Sequence, residues 1–127
     1  MSHPVAGATA SRVFEVAESD TALVVGSGRL PVLATPRLLA WMEQVAVSVV
    51  DPTLPTGHTS VGTHVEFDHV AAVRVGARVT VRAEVATVEG RRFGLTARAT
   101  DSAGVVLAMA RMTRVAVDGE PFLARLV

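Results

Sequence analysis

One segment, Thr35–Val50 (TPRLLAWMEQVAVSVV), narrows the folds open to this chain more than any other. Its apolar residues recur at three- and four-residue spacing. Leu38, Met42, Val45 and Val49 form one stripe and Leu39, Ala46, Val47 and Val50 another, which predicts a helix apolar nearly all round. Such a helix is normally buried. Thr35 is placed to be its N-cap with Pro36 at the first helical position, and Asp51 and Pro52 stop it. Glu43 is the exception, four residues after Leu39 and in line with the second stripe. An ionised carboxylate in a buried helix is costly unless paired or hydrogen-bonded, so Glu43 is the first candidate for function.

Beyond the helix the period changes from helical to two. Thr63, Val65, Phe67 and His69 share one face of a predicted strand, with His64, Glu66 and Asp68 on the other. Ala77, Val79, Val81, Ala83 and Val85 alternate with Arg78, Thr80, Arg82 and Glu84, a half-buried strand. Glu89–Arg92 makes a turn, Phe93, Leu95, Ala97 and Ala99 continue a further strand, and Asp101–Gly104 turns into a long apolar strand, Val105–Val117. Upstream, Val13–Val16 and Ala22–Val25 predict an opening hairpin or one bent strand. A chain of 127 residues without internal repeats or a linker is one domain, residues 1–127. The expected class is α+β, an antiparallel sheet wrapped around one long central helix. A single helix covers one face only, so the free sheet edge calls for a partner. We expect a homodimer with joined edge strands, and such dimers can pair again into tetramers.

Composition removes several classes of function. The chain has no cysteine, which excludes disulfides, thiolate metal sites and a cysteine nucleophile. Its formal net charge is zero, which offers no electrostatic footprint for nucleic acid. No apolar run approaches the roughly 20 residues of a membrane span, and the start, MSHPVAGATASR, lacks signal-peptide character, so we expect a cytoplasmic protein without a membrane partner. The four histidines, at 3, 58, 64 and 69, form no ligand-spaced cluster, and no metal is expected.

Three polar groups are left to converge on the helix: Glu43, His69 on the strand face shared with Val65 and Phe67, and Thr35 at the helix start. A carboxylate, an imidazole and a hydroxyl near a helix terminus suit acyl transfer or hydrolysis. A continuous helix separates Thr35 from Glu43 by about 12 Å, too far for a direct hydrogen bond. Either the chain bends before the helix, or two subunits complete each site.

From about Leu33 to Val117 the chain resembles a hotdog-fold acyl-CoA thioesterase of the fluoroacetyl-CoA thioesterase-like family. The resemblance rests on Thr35 with Glu43 eight residues later in TPRLLAWME, Gly62 with His69 seven residues later in GTHVEFDH, and the hairpin VEGRR at 88–92. It implies that Thr35, Glu43 and His69 are catalytic and that Gly62 lies in the acyl pocket. It also implies hydrolysis of an acyl-CoA or related acyl thioester to free acid and thiol. Glu43 would be base or nucleophile, assisted by His69 and Thr35. Coenzyme A would be part of the substrate, with no other cofactor. Val61, Val65, Phe67 and Met42 are expected to set the pocket volume; the nucleotide phosphates need exposed arginines, for which Arg74, Arg78, Arg91 and Arg92 are the candidates, with solvated surface as the alternative for each. Fluoroacetate-specific members carry a phenylalanine-rich segment before the threonine, where this chain reads GSGRLPVLA, so the resemblance carries the reaction and not the acyl group. Two other readings stay open: an enoyl-thioester hydratase on the same fold, and a non-catalytic acyl-CoA-binding module.

Overall fold

A computed structural model describes residues 5–127; His3 lies outside them. Strand β1 (Thr9–Glu15) leads through a short helix α1 (Ala22–Val25) to the long helix α2 (Thr35–Val50). Four strands follow, β2 (His58–His69), β3 (Arg78–Glu89), β4 (Arg92–Thr100) and β5 (Val106–Asp118), and then helix α3 (Gly119–Ala124). The strands form one antiparallel sheet in the order β1-β3-β4-β5-β2, so β2 is a free edge.

The expected wrap of sheet around helix is present. Leu38, Trp41, Met42, Val45, Ala46 and Val50 of α2 are buried against it. The sheet presents Val79, Val81, Ala83 and Val85 from β3, Phe93, Leu95, Ala97 and Ala99 from β4, and Ala108, Ala110 and Met112 from β5. Alanines in this layer let the helix approach closely, and Trp41 fills the space toward β1 by stacking on Phe14, with centroids 4.6 Å apart. The helix packs mainly over β3 and β1 and only lightly over β2. The inward side of β2 is therefore half open: Val65, Phe67 and His69 are all only partly buried.

Three local expectations are corrected. Ala22–Val25 is a helical turn rather than a strand, because the Thr21 hydroxyl accepts a hydrogen bond from the Val24 amide at 3.4 Å and Gly26, at φ 92°, closes the turn in the left-handed region. The N-cap of α2 is Ala34, and Thr35 is already its first residue, with no side-chain cap. In β2, Thr63 was expected on the His69 face but is the extra residue of a β-bulge: Gly62 opposes Arg114, His64 opposes Thr113 and Val65 opposes Met112.

The bulge decides which side chains look inward. Gly62 and His69 are an odd number of residues apart and would face opposite sides of a regular strand. One extra residue restores the phase, so Ser60, Gly62, Val65, Phe67 and His69 all face α2.

Candidate active site

The first turn of α2 is anchored from both sides. The Leu33 amide donates to the Val73 carbonyl and the Ala34 amide to the Asp20 carbonyl, each at 2.9 Å. Arg37 Nε lies 3.2 Å from Asp20 Oδ1. Because Ala34 occupies the cap, the Thr35 hydroxyl is free to leave the helix, and Thr35 Oγ1 meets His69 Nδ1 at 2.7 Å. The edge of the His69 ring packs on Phe67, with centroids 6.2 Å apart. His69 Nε2 is buried without a hydrogen-bond partner among the described residues. A hydroxyl bonded to an imidazole whose second nitrogen is uncommitted can pass a proton in either direction, beside amides at a helix N-terminus.

Glu43 stands two turns further along. It is half-exposed, its side chain 38% accessible, because it shares a flank of α2 with Leu39 and Val47 that the sheet leaves partly uncovered. The expectation of full burial is thus corrected by where α2 sits on the sheet. Its partner is Arg114 of β5, whose Nη1 donates to Glu43 Oε2 at 3.2 Å. Arg114 is buried, its side chain 7% accessible, and faces inward in phase with Ala110, Met112 and Ala116. Ser60 holds it twice: Nε donates to the Ser60 hydroxyl and Nη2 to the Ser60 carbonyl, both at 2.8 Å. The Ser60 hydroxyl donates in turn to Asp51 Oδ1 at 2.7 Å. Buried charge is tolerated when paired and hydrogen-bonded in this way.

Gly62 lies against this pair. A Cβ there would come within 2.9 Å of Glu43 Oε2 and 3.5 Å of Arg114 Nη1. The missing side chain is what lets carboxylate and guanidinium meet beside β2.

Within the chain the structure therefore makes two clusters, Thr35 with His69 and Glu43 with Arg114 and Gly62. No hydrogen bond joins Glu43 to Thr35 or His69 among the described residues, as the helical rise requires. Phe67 and Val65 lie between them on the inward face of β2, which α2 leaves half open. Met42 does not reach it: it is fully buried in the core on the sheet side of α2. Val61 does not either, since it lies out of phase with Ser60 and Gly62 and points to the outer face opposite Val115. Arg91 is in the exposed turn between β3 and β4, near Val115, whereas Arg74 bridges to Val32 just before Thr35. A broad concavity lies on the outer sheet face, lined by groups such as Glu66, Asp68, Arg82, Glu84, Arg98 and Arg111. None of the candidate catalytic residues lines it.

Arg114 and Ser60 were not singled out in the sequence, and Asp51 was read only as a helix stop. For Arg114 a signal existed: it is an arginine on the apolar phase of β5, whereas Arg111 is on the exposed phase.

Comparison with known proteins gives a consistent picture. A family model described as fluoroacetyl-CoA-specific thioesterase matches residues 16–120. The fluoroacetyl-CoA thioesterase of Streptantibioticus cattleyicolor is 40% identical over 70 residues, 55% of this chain and 50% of the relative. The matched stretch thus spans half the length of that curated relative. Among solved structures, a hot-dog-like protein from Thermanaerovibrio acidaminovorans superposes with a TM-score of 0.86 at 32% identity, covering 94% of this chain and 88% of that one. A threonine-to-serine variant of the fluoroacetyl-CoA thioesterase, in complex with acetyl-CoA, superposes with a TM-score of 0.89 at 28% identity, covering 95% of each chain. The fold is the hotdog fold.

Proposed function

The chain belongs to the family of fluoroacetyl-CoA-specific thioesterases, and we propose that it hydrolyses an acyl-CoA thioester to the free acid and coenzyme A. The observation that carries this reading is the 2.7 Å hydrogen bond between Thr35 Oγ1 and His69 Nδ1 at the N-terminus of α2. It joins a hydroxyl to an imidazole nitrogen on the half-open inward side of β2 that also carries Gly62, against Glu43. The solved relatives bound to acetyl-CoA, or to fluoroacetate and coenzyme A, support the substrate class.

In the proposed reaction Glu43 takes a proton from water as the water attacks the thioester carbonyl, or attacks that carbon itself to form an anhydride that water then opens to the free acid. Amides at the start of α2 stabilise the oxyanion, and Thr35 orients the carbonyl. When the carbon–sulfur bond breaks, His69 gives its ring proton to the departing thiolate, and the proton taken up by Glu43 returns to His69 through water. Arg114 holds the Glu43 carboxylate in place through the 3.2 Å hydrogen bond. The hydrogen bond favours a second order of events as well. His69 takes the Thr35 proton, the threonine oxygen attacks, the thiolate leaves with that proton, and water activated by Glu43 releases the acid. Both routes use only protein groups and water, and coenzyme A enters as part of the substrate.

This half-open side suits an apolar acyl group, since Leu39 and Val47 flank Glu43 on the helix and Val65 and Phe67 lie on the inward face of β2. We further infer a cytoplasmic homodimer joined through the free β2 edge. Antiparallel pairing of two β2 strands would cover Val65 and Phe67 and bring the partner's Glu43 toward the Thr35–His69 pair.

The test is thiol release from a panel of short, medium and aryl acyl-CoAs, read with a disulfide reagent; the cysteine-free protein adds no background. Turnover that falls at least about a hundredfold in Glu43→Gln is expected. Tight acyl-CoA binding without thiol release would favour the binding module. Hydration of an enoyl thioester would favour the hydratase.

A further inference from the structure

Two carboxylates eight residues apart at α2 converge on one arginine from another element. Glu43 bonds Arg114 directly, and Asp51, at the C-terminal cap, reaches it through the Ser60 hydroxyl. We propose that Ser60 and Asp51 are positioning residues for the hydrolytic site: they clamp the Arg114 guanidinium so that it holds one oxygen of Glu43 and leaves the other free for the reaction. This inference rests on the thioesterase reading above.

The chemistry of the serine makes the clamp directional. Its oxygen accepts the Arg114 Nε–H at 2.8 Å, so its single proton points to Asp51 Oδ1 at 2.7 Å. Asp51 Oδ2 is occupied by the Thr59 hydroxyl and, at 3.4 Å, by the Ser60 amide, which fixes the carboxylate against β2. The guanidinium is thus held along one edge by Ser60, through Nε and Nη2, and presents Nη1 to Glu43 Oε2. Glu43 Oε1 makes no hydrogen bond to the described residues. Remove the Ser60 hydroxyl and the buried Nε–H loses its acceptor beside the Asp51 carboxylate. The guanidinium then turns toward Asp51 and releases Glu43. A displacement of that kind lowers the rate of the chemical step more than it weakens substrate binding.

Ser60→Ala and Asp51→Ala should each lower kcat about tenfold or more while KM changes less than about threefold, and Ser60→Thr, which keeps the hydroxyl, should restore most of kcat. The 15N–1H resonance of Arg114 Nε gives a second readout that does not depend on turnover. It should shift and exchange faster with water in Ser60→Ala and in Asp51→Ala. Native kcat in a folded Asp51→Ala protein, or equal losses in Ser60→Ala and Ser60→Thr, would overturn the proposal. If the native protein releases no thiol from any thioester, the thioesterase reading fails by itself. An Arg114 resonance unmoved by Asp51→Ala would then refute the clamp, and a moved one would keep it.

Discussion

Thr35 and His69 lie 34 residues apart in the chain and share a 2.7 Å hydrogen bond. Two local departures from regularity produce it. Helix α2 is capped by Ala34, so the Thr35 hydroxyl has no duty to its own helix, and the bulge at Thr63 turns the imidazole inward. In a hotdog protein of this family, that contact ties the helix start to the end of the free edge strand.

Thr35→Ala should lower kcat/KM for the best acyl-CoA about a hundredfold, whereas Thr35→Ser should stay within about tenfold because the hydroxyl survives. Thiol-release kinetics on both variants check this. Mass spectrometry of rapidly quenched enzyme then separates the two routes: an acyl adduct present in native protein and absent in Thr35→Ala marks the threonine as nucleophile.

Gly62→Ala should damage the site without unfolding the protein. The new Cβ would lie 2.9 Å from Glu43 Oε2, the mobile end of a half-exposed side chain, which must move away from Arg114. Turnover should drop about tenfold or more, while stability in urea changes by less than about 1 kcal/mol. A loss of several kcal/mol would mean that Gly62 serves the backbone instead.

Phe14→Ala should be costly in the opposite sense. Phe14 stacks on the only tryptophan, Trp41, with rings 6° from parallel, and Arg12 covers its other side at 4.8 Å. Losing the ring should destabilise the fold by about 2–4 kcal/mol and red-shift Trp41 emission, both measurable in one urea titration.

The native protein should elute and scatter light at twice the 13.3 kDa chain mass. Charges introduced on the inward edge, such as Val65→Lys, should shift it toward monomer and abolish turnover together. A monomer with full activity would show that each protomer carries a complete site.

Much of this architecture was legible because its signals are periodic. The long helix was read from apolar spacing with its end at Val50 and its start one residue late, and β3 from alternation between Ala77 and Val85. Thr35, Glu43 and His69 stood out as polar groups in apolar settings. What escaped was set by single residues acting at a distance. A bulge has no composition of its own, so Val61 was read into the pocket although it faces outward. Met42 and Glu43 are neighbours in sequence, and only the offset of α2 toward β3 buries the first and half-exposes the second. Arg114 was hidden in a strand read as simply apolar. The Ala22–Val25 turn depended on Thr21 and Gly26 rather than on its own aliphatic residues.

The extra residue in β2 also restricts how descendants of this chain can change length. Seven positions from Gly62 to His69 bring both inward only when one of them is bulged out. Loss of Thr63 together with the bulge would leave six positions on a regular ladder, with the imidazole in the same place against Ala108. Loss of either one alone would turn the imidazole to the outer face. Spacing and bulge are thus a single inherited character, and a relative found with one altered should be found with both.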